Sequence, residues 1–260
     1  MAIELTYNGQ RYRAAVPMTS DIALPLAFDA TGPQAFGAPA ADSTPLSTGG
    51  FSGRVAAGAS CNASVLSVTP HGNGTHTESV AHLVEDGPAV PALLAGGWMP
   101  AWLGSVQASP GTITASALEP VLHNAKAVGA VALVLRTLPN ISEKMRCDYS
   151  GDAAPAFFES DAARAVADAG IEHWLVDLPS LDRLDDPALP AHRAFFGLPP
   201  ASHRVRDARR RQCTVTELIY VADELVDGLY LLDLQVPRWQ LEAVPSRPLL
   251  MAAELLEDNA

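Results

Sequence analysis

Between residues 116 and 178 the chain alternates helical and buried-strand patterns, and this limits the fold more than any other feature. Leu118, Val121, Leu122 and Ala125 share one helical face, with Ser116 as candidate N-cap, Glu119 three residues on as its capping-box partner, and Gly129 as stop. The apolar run AVALVLRTL follows directly. Ser160 to Gly170 repeats the pattern, with Ser160 as cap, an alanine-rich helix and Gly170 as stop, before the strand HWLVDL. Strand, helix, strand, helix, strand predicts an α/β layer. The last third returns to strands in TVTELIYV, LYLLDLQV and PLLMAAEL. At the other end, IELTY and QRYRA flank Asn8-Gly9, a type I′ turn signal, which predicts a hairpin within residues 1–16. DIALPL is a short alternating segment closed by Pro25, and residues 30–60, rich in Gly, Pro, Ala and Ser, read as a long surface loop or lid. Ser64 to Val68 reads as a strand running into Pro70. The expected architecture is a single α/β domain over residues 1–260, with a mixed central β-sheet, flanking helices and the N-terminal hairpin attached.

Composition removes several function classes. With 48% hydrophobic and 18% charged residues in a chain of 260, there is enough apolar material for a sizeable core. The formal net charge of −12 repels phosphate backbones, and the arginines of 204–211 stand alone, so nucleic acid is set aside. The longest apolar stretch, near Val128 to Leu135, is strand length, which argues against a membrane span. MAIELTYNGQRY lacks the pattern of a secretory signal, and three scattered cysteines (Cys61, Cys147, Cys213) suit neither a disulfide scaffold nor a zinc ribbon. The expected location is the cytoplasm.

Chemistry concentrates in PHGNGTHTESVAHL, residues 70–83, which holds three of the seven histidines, His71, His76 and His82, plus Glu78. His76 and Glu78 are two apart, so an extended backbone points both to one side. Imidazole and carboxylate converging at a strand end form half of a divalent-metal site; a Gly/Thr/His surface loop is the alternative. A second segment, VDLPSLDRLDDPALPAH, places Asp177, Ser180 and Asp182 after a strand, where α/β sheets put their sites, with His192 ten residues beyond Asp182. Asp and Ser also cap turns and helices routinely, and that reading stays open for Ser180 and Asp182. In the third segment, TVTELIYV, Glu217 lies among apolar neighbours and needs a partner, either a metal or an arginine such as Arg209 to Arg211. Trp98 and Trp102, in GGWMPAWLG, could line an aromatic pocket or pack as a small loop.

Taken in order, these segments resemble the cyclase family that includes bacterial kynurenine formamidase and isatin hydrolase. Its signature HxGTHxDxPxH is matched by GNGTHTESVAH, its TDxxSxD strand end by VDLPSLD, its later His by PAHRAFF, its late Glu by TELIY, and its early DxSxPL strand by DIALPL. The resemblance covers about residues 20–250 and implies a swivelling β/β/α-like fold and a homo-oligomer. It implies metal ligands at His76, Glu78, His192 and Glu217, a proton shuttle at His82, and support from Asp177 and Ser180. The cofactor implied is Zn or Mn, and the reaction is hydrolysis of a small-molecule amide, aryl formamide or lactam by metal-activated water. A non-catalytic binding protein and a cyclase or dehydratase are the alternatives. Two departures stand out. The signature's first His falls on Gly72, so His71, one position off, replaces it only if the backbone bulges. Glu78 replaces Asp and extends the carboxylate by a methylene.

Overall fold

The structure, a computed structural model, describes residues 2–15, 19–94, 96–108, 111–150 and 154–256. Eleven strands form one mixed sheet: β1 (Ala2–Tyr7), β2 (Gln10–Ala15), β3 (Ser20–Asp21), β4 (His76–Ser79), β5 (Trp98–Gln107), β6 (Ala132–Leu138), β7 (His173–Val176), β8 (Thr214–Glu217), β9 (Gly228–Gln235), β10 (Ala243–Pro245) and β11 (Arg247–Leu256). The order is β1-β2-β11-β9-β5-β6-β7-β8-β4-β10, with β3 on β11. β5, β6, β7 and β8 are mutually parallel, and antiparallel strands flank them on both sides. Among the described residues five α-helices accompany the sheet: α1 (Pro70–Asn73), α2 (Val90–Leu93), α3 (Ala115–Ala127), α4 (Ser160–Asp168) and α5 (Pro190–Phe196).

Strand alternation divides the core. On β6, Leu133 and Leu135 face the helices with Leu118 and Val121 of α3, Trp174 and Phe195, while Ala132 and Val134 face a second cluster with Leu103, Leu175, Leu232 and Leu250. Each buried Leu or Phe side chain contributes about 1.5–3 kcal/mol relative to exposure. The N-terminal hairpin forms as expected, with positive φ at Asn8 (47°) and Gly9 (81°) as a type I′ turn requires. Residues 1 and 16 of the expected range lie outside the described residues.

Three local expectations shift. The N-cap of α3 is Thr114, whose hydroxyl accepts from the Ala117 amide at 3.3 Å, so the helix begins one residue before Ser116, and Ser116 bonds Thr114 instead. The α4 cap position is Glu159, with Ser160 in the first turn. The Ser64–Ser67 strand exists, but it pairs only with Asp42–Pro45 in a solvent-exposed arm and does not enter the central sheet. None of its four residues is buried. Among the described residues no helix is long and apolar enough to cross a membrane.

Candidate metal centre

Glu217 is the last residue of β8, at the carboxyl end of the parallel strands, and pairs in register with His76, the first residue of antiparallel β4. Val215 opposes Glu78 in the same ladder. Val215 faces the helical side of the sheet, so period-2 alternation puts Glu217, His76 and Glu78 on that face too. α5 lies above them and contributes His192.

The side chains converge. His192 Nε2 is 3.1 Å from Glu78 Oε1 and 3.3 Å from Glu217 Oε1, and His76 Nε2 is 3.3 Å from Glu217 Oε2. His71 Nδ1 is 3.3 Å from Glu78 Oε2. One donor atom each from His71, His76, Glu78 and Glu217 lies within 4.8 Å of all the others. His82 is farther out, with Nδ1 3.8 Å from Glu78 Oε2 and its ring 4.5 Å from that of His71.

The two carboxylates are buried, with side chains 1% and 3% exposed, and no Lys or Arg among the described residues reaches either. The arginine alternative for Glu217 is therefore overturned: Arg210 bonds the carbonyls of Ala167 and Ile171 and sits 5.0 Å over the Phe195 ring. Two buried negative charges demand positive charge from protons on imidazoles or from a cation. The protonation tendencies express this demand. Burial pushes His76 and His192 down, but the carboxylates outweigh it and hold both above the usual imidazole value. Burial opposes ionisation of Glu78 and Glu217 as well, and the surrounding imidazoles nevertheless hold both low. His71 goes down instead, to about 4, through burial and the charge of His76.

A divalent ion fits these residues. His76 Nε2, His192 Nε2, His71 Nε2 and both Glu78 oxygens are buried without a hydrogen bond, although carboxylate oxygens stand near the imidazoles. Those contacts have the length of a coordination polyhedron's edge: donors at ~2.0–2.2 Å from one ion lie about 3.0–3.5 Å from each other. The remaining nitrogens are already used. His76 Nδ1 donates to the Gly74 carbonyl (3.0 Å) and His192 Nδ1 to Asp182 Oδ2 (2.6 Å), so Nε2 of each is free to ligate.

With this geometry in hand, the comparisons decide the kinship. The model of the family described as Putative cyclase matches residues 16–183. The chain belongs to that family. No curated protein matches it by sequence. Among solved structures, a protein titled a predicted metal-dependent hydrolase from Bacillus stearothermophilus aligns over 90% of this chain and 98% of its own, at 18% identity and a TM-score of 0.61. An isatin hydrolase bound to thioisatinate covers 91% and 92% (15% identity, TM-score 0.60). Isatin hydrolase A from Ralstonia solanacearum covers 90% and 91% (14% identity, TM-score 0.61). At these identities the likeness is one of fold, and it matches the expected mixed α/β architecture.

In this cyclase-family chain the displaced histidine has a structural explanation. Residues 70–73 form a helical turn, not a strand, so a one-position shift rotates a side chain by about 100° rather than reversing it. His71 thereby reaches Glu78. Gly72 is packed against residues 35–38: a Cβ there would stand 2.6 Å from the Ala38 Cβ and 3.2 Å from the Ala35 carbonyl. No side chain fits at 72, let alone an imidazole.

Asp182, read as a possible turn cap and left out of the expected site set, is the residue missed. Its carboxylate accepts from the Ala191 amide (2.6 Å), the His192 amide (3.0 Å) and His192 Nδ1. It caps α5 and aims His192 at once. The signal was available in the ten-residue spacing to His192. Ser180 accepts from the Asp182 amide (3.1 Å) and lines the adjacent cavity. Asp177 lies apart, accepting from Lys144 Nζ and the Thr137 amide, both at 2.9 Å, with no contact to the histidine cluster. Trp98 and Trp102 are not among the cavity's lining residues. Trp98 packs with Tyr12 and Leu231, and Trp102 against the helical core, because β5 lies three strands away from β8 in the sheet order. The cavity, about 560 Å³, is lined instead by Phe36, Ala38, Leu184 and Leu189 beside His71, His82 and His192. The expected lid thus contributes Phe36.

Proposed function

We propose that the 260 residues act as one metal-dependent hydrolase unit that cleaves the C–N bond of a small, uncharged amide, an aryl formamide or a lactam. The observation that carries this reading is the pair of buried carboxylates, Glu78 and Glu217, whose ion-pair neighbours among the described residues are all imidazoles; the Leu181 amide, which donates to Glu217 Oε1 at 3.0 Å, brings no charge. The proposed ligands are His76, Glu78, His192 and Glu217, with His71 in place of the histidine that Gly72 excludes, and the proposed ion is Zn or Mn. When bound, such an ion supplies Lewis acidity toward a carbonyl oxygen and lowers the pKa of bound water toward ~7.

His82 is the proposed acid/base. Its side chain is 26% exposed and borders the cavity, outside the donor cluster. It can take a proton from the attacking water and return it to the departing nitrogen. Asp182 keeps His192 in one tautomer and orientation through the cycle. Phe36, Leu184 and Leu189 give an apolar wall that desolvates a ring. Among the described residues no Lys or Arg lines the cavity, and Asp185 and Asp186 stand at its edge, which favours a substrate without a carboxylate. Two isatin hydrolases among the similar folds make lactams a natural class to assay. A homo-oligomer is proposed as well: Val55, Val65 and Leu66 of the exposed arm are 50%, 51% and 54% exposed, apolar surface that a second copy would cover.

The test is turnover of formanilides and isatin by metal-loaded wild type and by His82→Gln. Expected are hydrolysis by the wild type and a loss of about 10²–10⁴-fold in kcat in the variant, with the metal retained. Equal turnover in both would remove His82 from the chemistry, and no turnover of either class would sink the amide reading.

A further inference from the structure

We infer that the groove between α4 and α5 is a second binding site, for a small organic anion that pairs a carboxylate with an apolar body. The groove is a cavity of about 550 Å³, separate from the histidine cluster. Among the described residues three arginines and a histidine line it, Arg164, Arg193, Arg209 and His203, and no carboxylate does. That is unexpected in a chain with 17 basic and 29 acidic side chains.

The arginines lack counter-charges. Arg193 is only 9% exposed, yet among the described residues it meets no carboxylate. Its Nε donates to the Ala188 carbonyl (2.9 Å) and its Nη1 to those of Pro199 and Ser202 (3.1 and 2.8 Å), and no hydrogen bond uses Nη2. Arg164 has only Asp161 at 3.8 Å, between side chains 63% and 82% exposed, a separation and exposure that neutralise little. Arg209 forms no ion pair among the described residues, and its aliphatic stem rests on Gly197, where an added Cβ would stand 3.1 Å from the Arg209 Cβ. A nearly buried cation held only by neutral carbonyls, without a counter-charge, is costly, and an anion relieves that cost.

Guanidinium groups match the planar fork of a carboxylate. Leu198 and the prolines at 187, 190, 199 and 200 supply apolar walls for the rest of the molecule. A singly charged anion suits the site better than a polyphosphate, which the net charge of −12 repels more strongly. The groove backs onto the histidine cluster through α5: Arg193 follows His192, and Pro187 lines both cavities. Hydrolysis of a lactam leaves the new carboxylate on its apolar body, so the product of that substrate class has the required chemistry. That source assignment rests on the hydrolase reading, whereas the site itself does not.

Benzoate is the probe, titrated into the full-length, metal-loaded protein and followed by backbone amide NMR and calorimetry. Benzyl alcohol serves as the neutral control. The partner protein is the double variant Arg164→Gln/Arg209→Gln, which leaves the carbonyl bonds of Arg193 intact. The expected result is saturable, salt-sensitive binding of benzoate but not benzyl alcohol, with shifts at Gly197 and Leu198 and at least about tenfold weakening in the double variant. Three results would overturn it: no saturable binding into the millimolar range, binding unchanged in the double variant, or shifts confined to the surroundings of His82 and Glu217. None of these readouts uses turnover, so failure of the hydrolase reading remains distinguishable.

Discussion

A carboxylate that is 1% exposed and faces only imidazoles, as Glu78 does, sets the terms for each residue around it. Asp182 answers those terms indirectly, by donating no ligand yet holding the nitrogen that points away from the cluster. Asp182→Asn should keep the α5 cap through its amide oxygen but present the wrong partner to His192 Nδ1. Metal affinity should fall by about 10–100-fold in chelator competition, with the far-UV spectrum retained. An unchanged affinity would make Asp182 a cap and nothing more. His173 behaves differently. It is 6% exposed, bonds Thr214 Oγ1 through Nδ1 at 2.9 Å, and burial pushes it down from the usual 6.5 to about 4. Between those values the unfolded chain binds a proton that the folded chain refuses. Stability is therefore unaffected above pH 6.5 and falls as the pH drops toward 4. From pH 7.5 to 5 this residue should cost about 2 kcal/mol in urea unfolding, and His173→Asn should abolish that increment. A variant with the wild-type pH slope would show that His173 is not its source.

At the scale of elements, the turn of α1 and the loop at 35–38 are one fitted unit. Gly72→Ala forces a Cβ to 2.6 Å from that of Ala38, so it should destabilise the fold by about 1–3 kcal/mol in thermal or urea unfolding. It should also weaken metal binding by displacing His71, and a neutral substitution would mean the loop yields freely. The loop from Arg183 to Leu189 makes the acidic edge of the cavity, with Asp185 paired to Arg183 at 2.8 Å and Asp186 accepting from the Ala188 amide. Asp186→Asn should raise kcat/KM for 4-carboxyformanilide relative to formanilide, and more so at low salt, while an unaltered ratio would remove charge selection from this loop. These elements also show what was legible in the sequence. The alternation around AVALVLRTL and HWLVDL gave β6 and β7, since a run buried on both faces has no polar break. The pair His76 and Glu78 could be placed on one face because β4 is extended there. His71 could not, since periodicity does not distinguish a four-residue helical turn from a strand end. The tryptophans misled because aromatic rings signal burial without saying against what.

Across the whole molecule, the site exists because the sheet changes direction beside it. Parallel β8 ends at Glu217, antiparallel β4 begins at His76, and α5 crosses above them with His192. These three segments lie up to 141 residues apart, and only the ordered family motifs hinted that they meet. Strand order and the partner of Ser64–Ser67 were not legible, because an isolated pattern carries no information on which neighbour it pairs with. The central claim is that the positive charge required by Glu78 and Glu217 comes from a divalent ion. The decisive measurement is metal content, by mass spectrometry, of untagged protein purified without chelator, beside Glu217→Ala. The account predicts about one to two equivalents of Zn or Mn in the wild type and a loss of most of it in the variant. Protein that carries no metal above background, even after incubation with Zn²⁺ or Mn²⁺, would contradict it and leave the two carboxylates compensated by protons on His76 and His192.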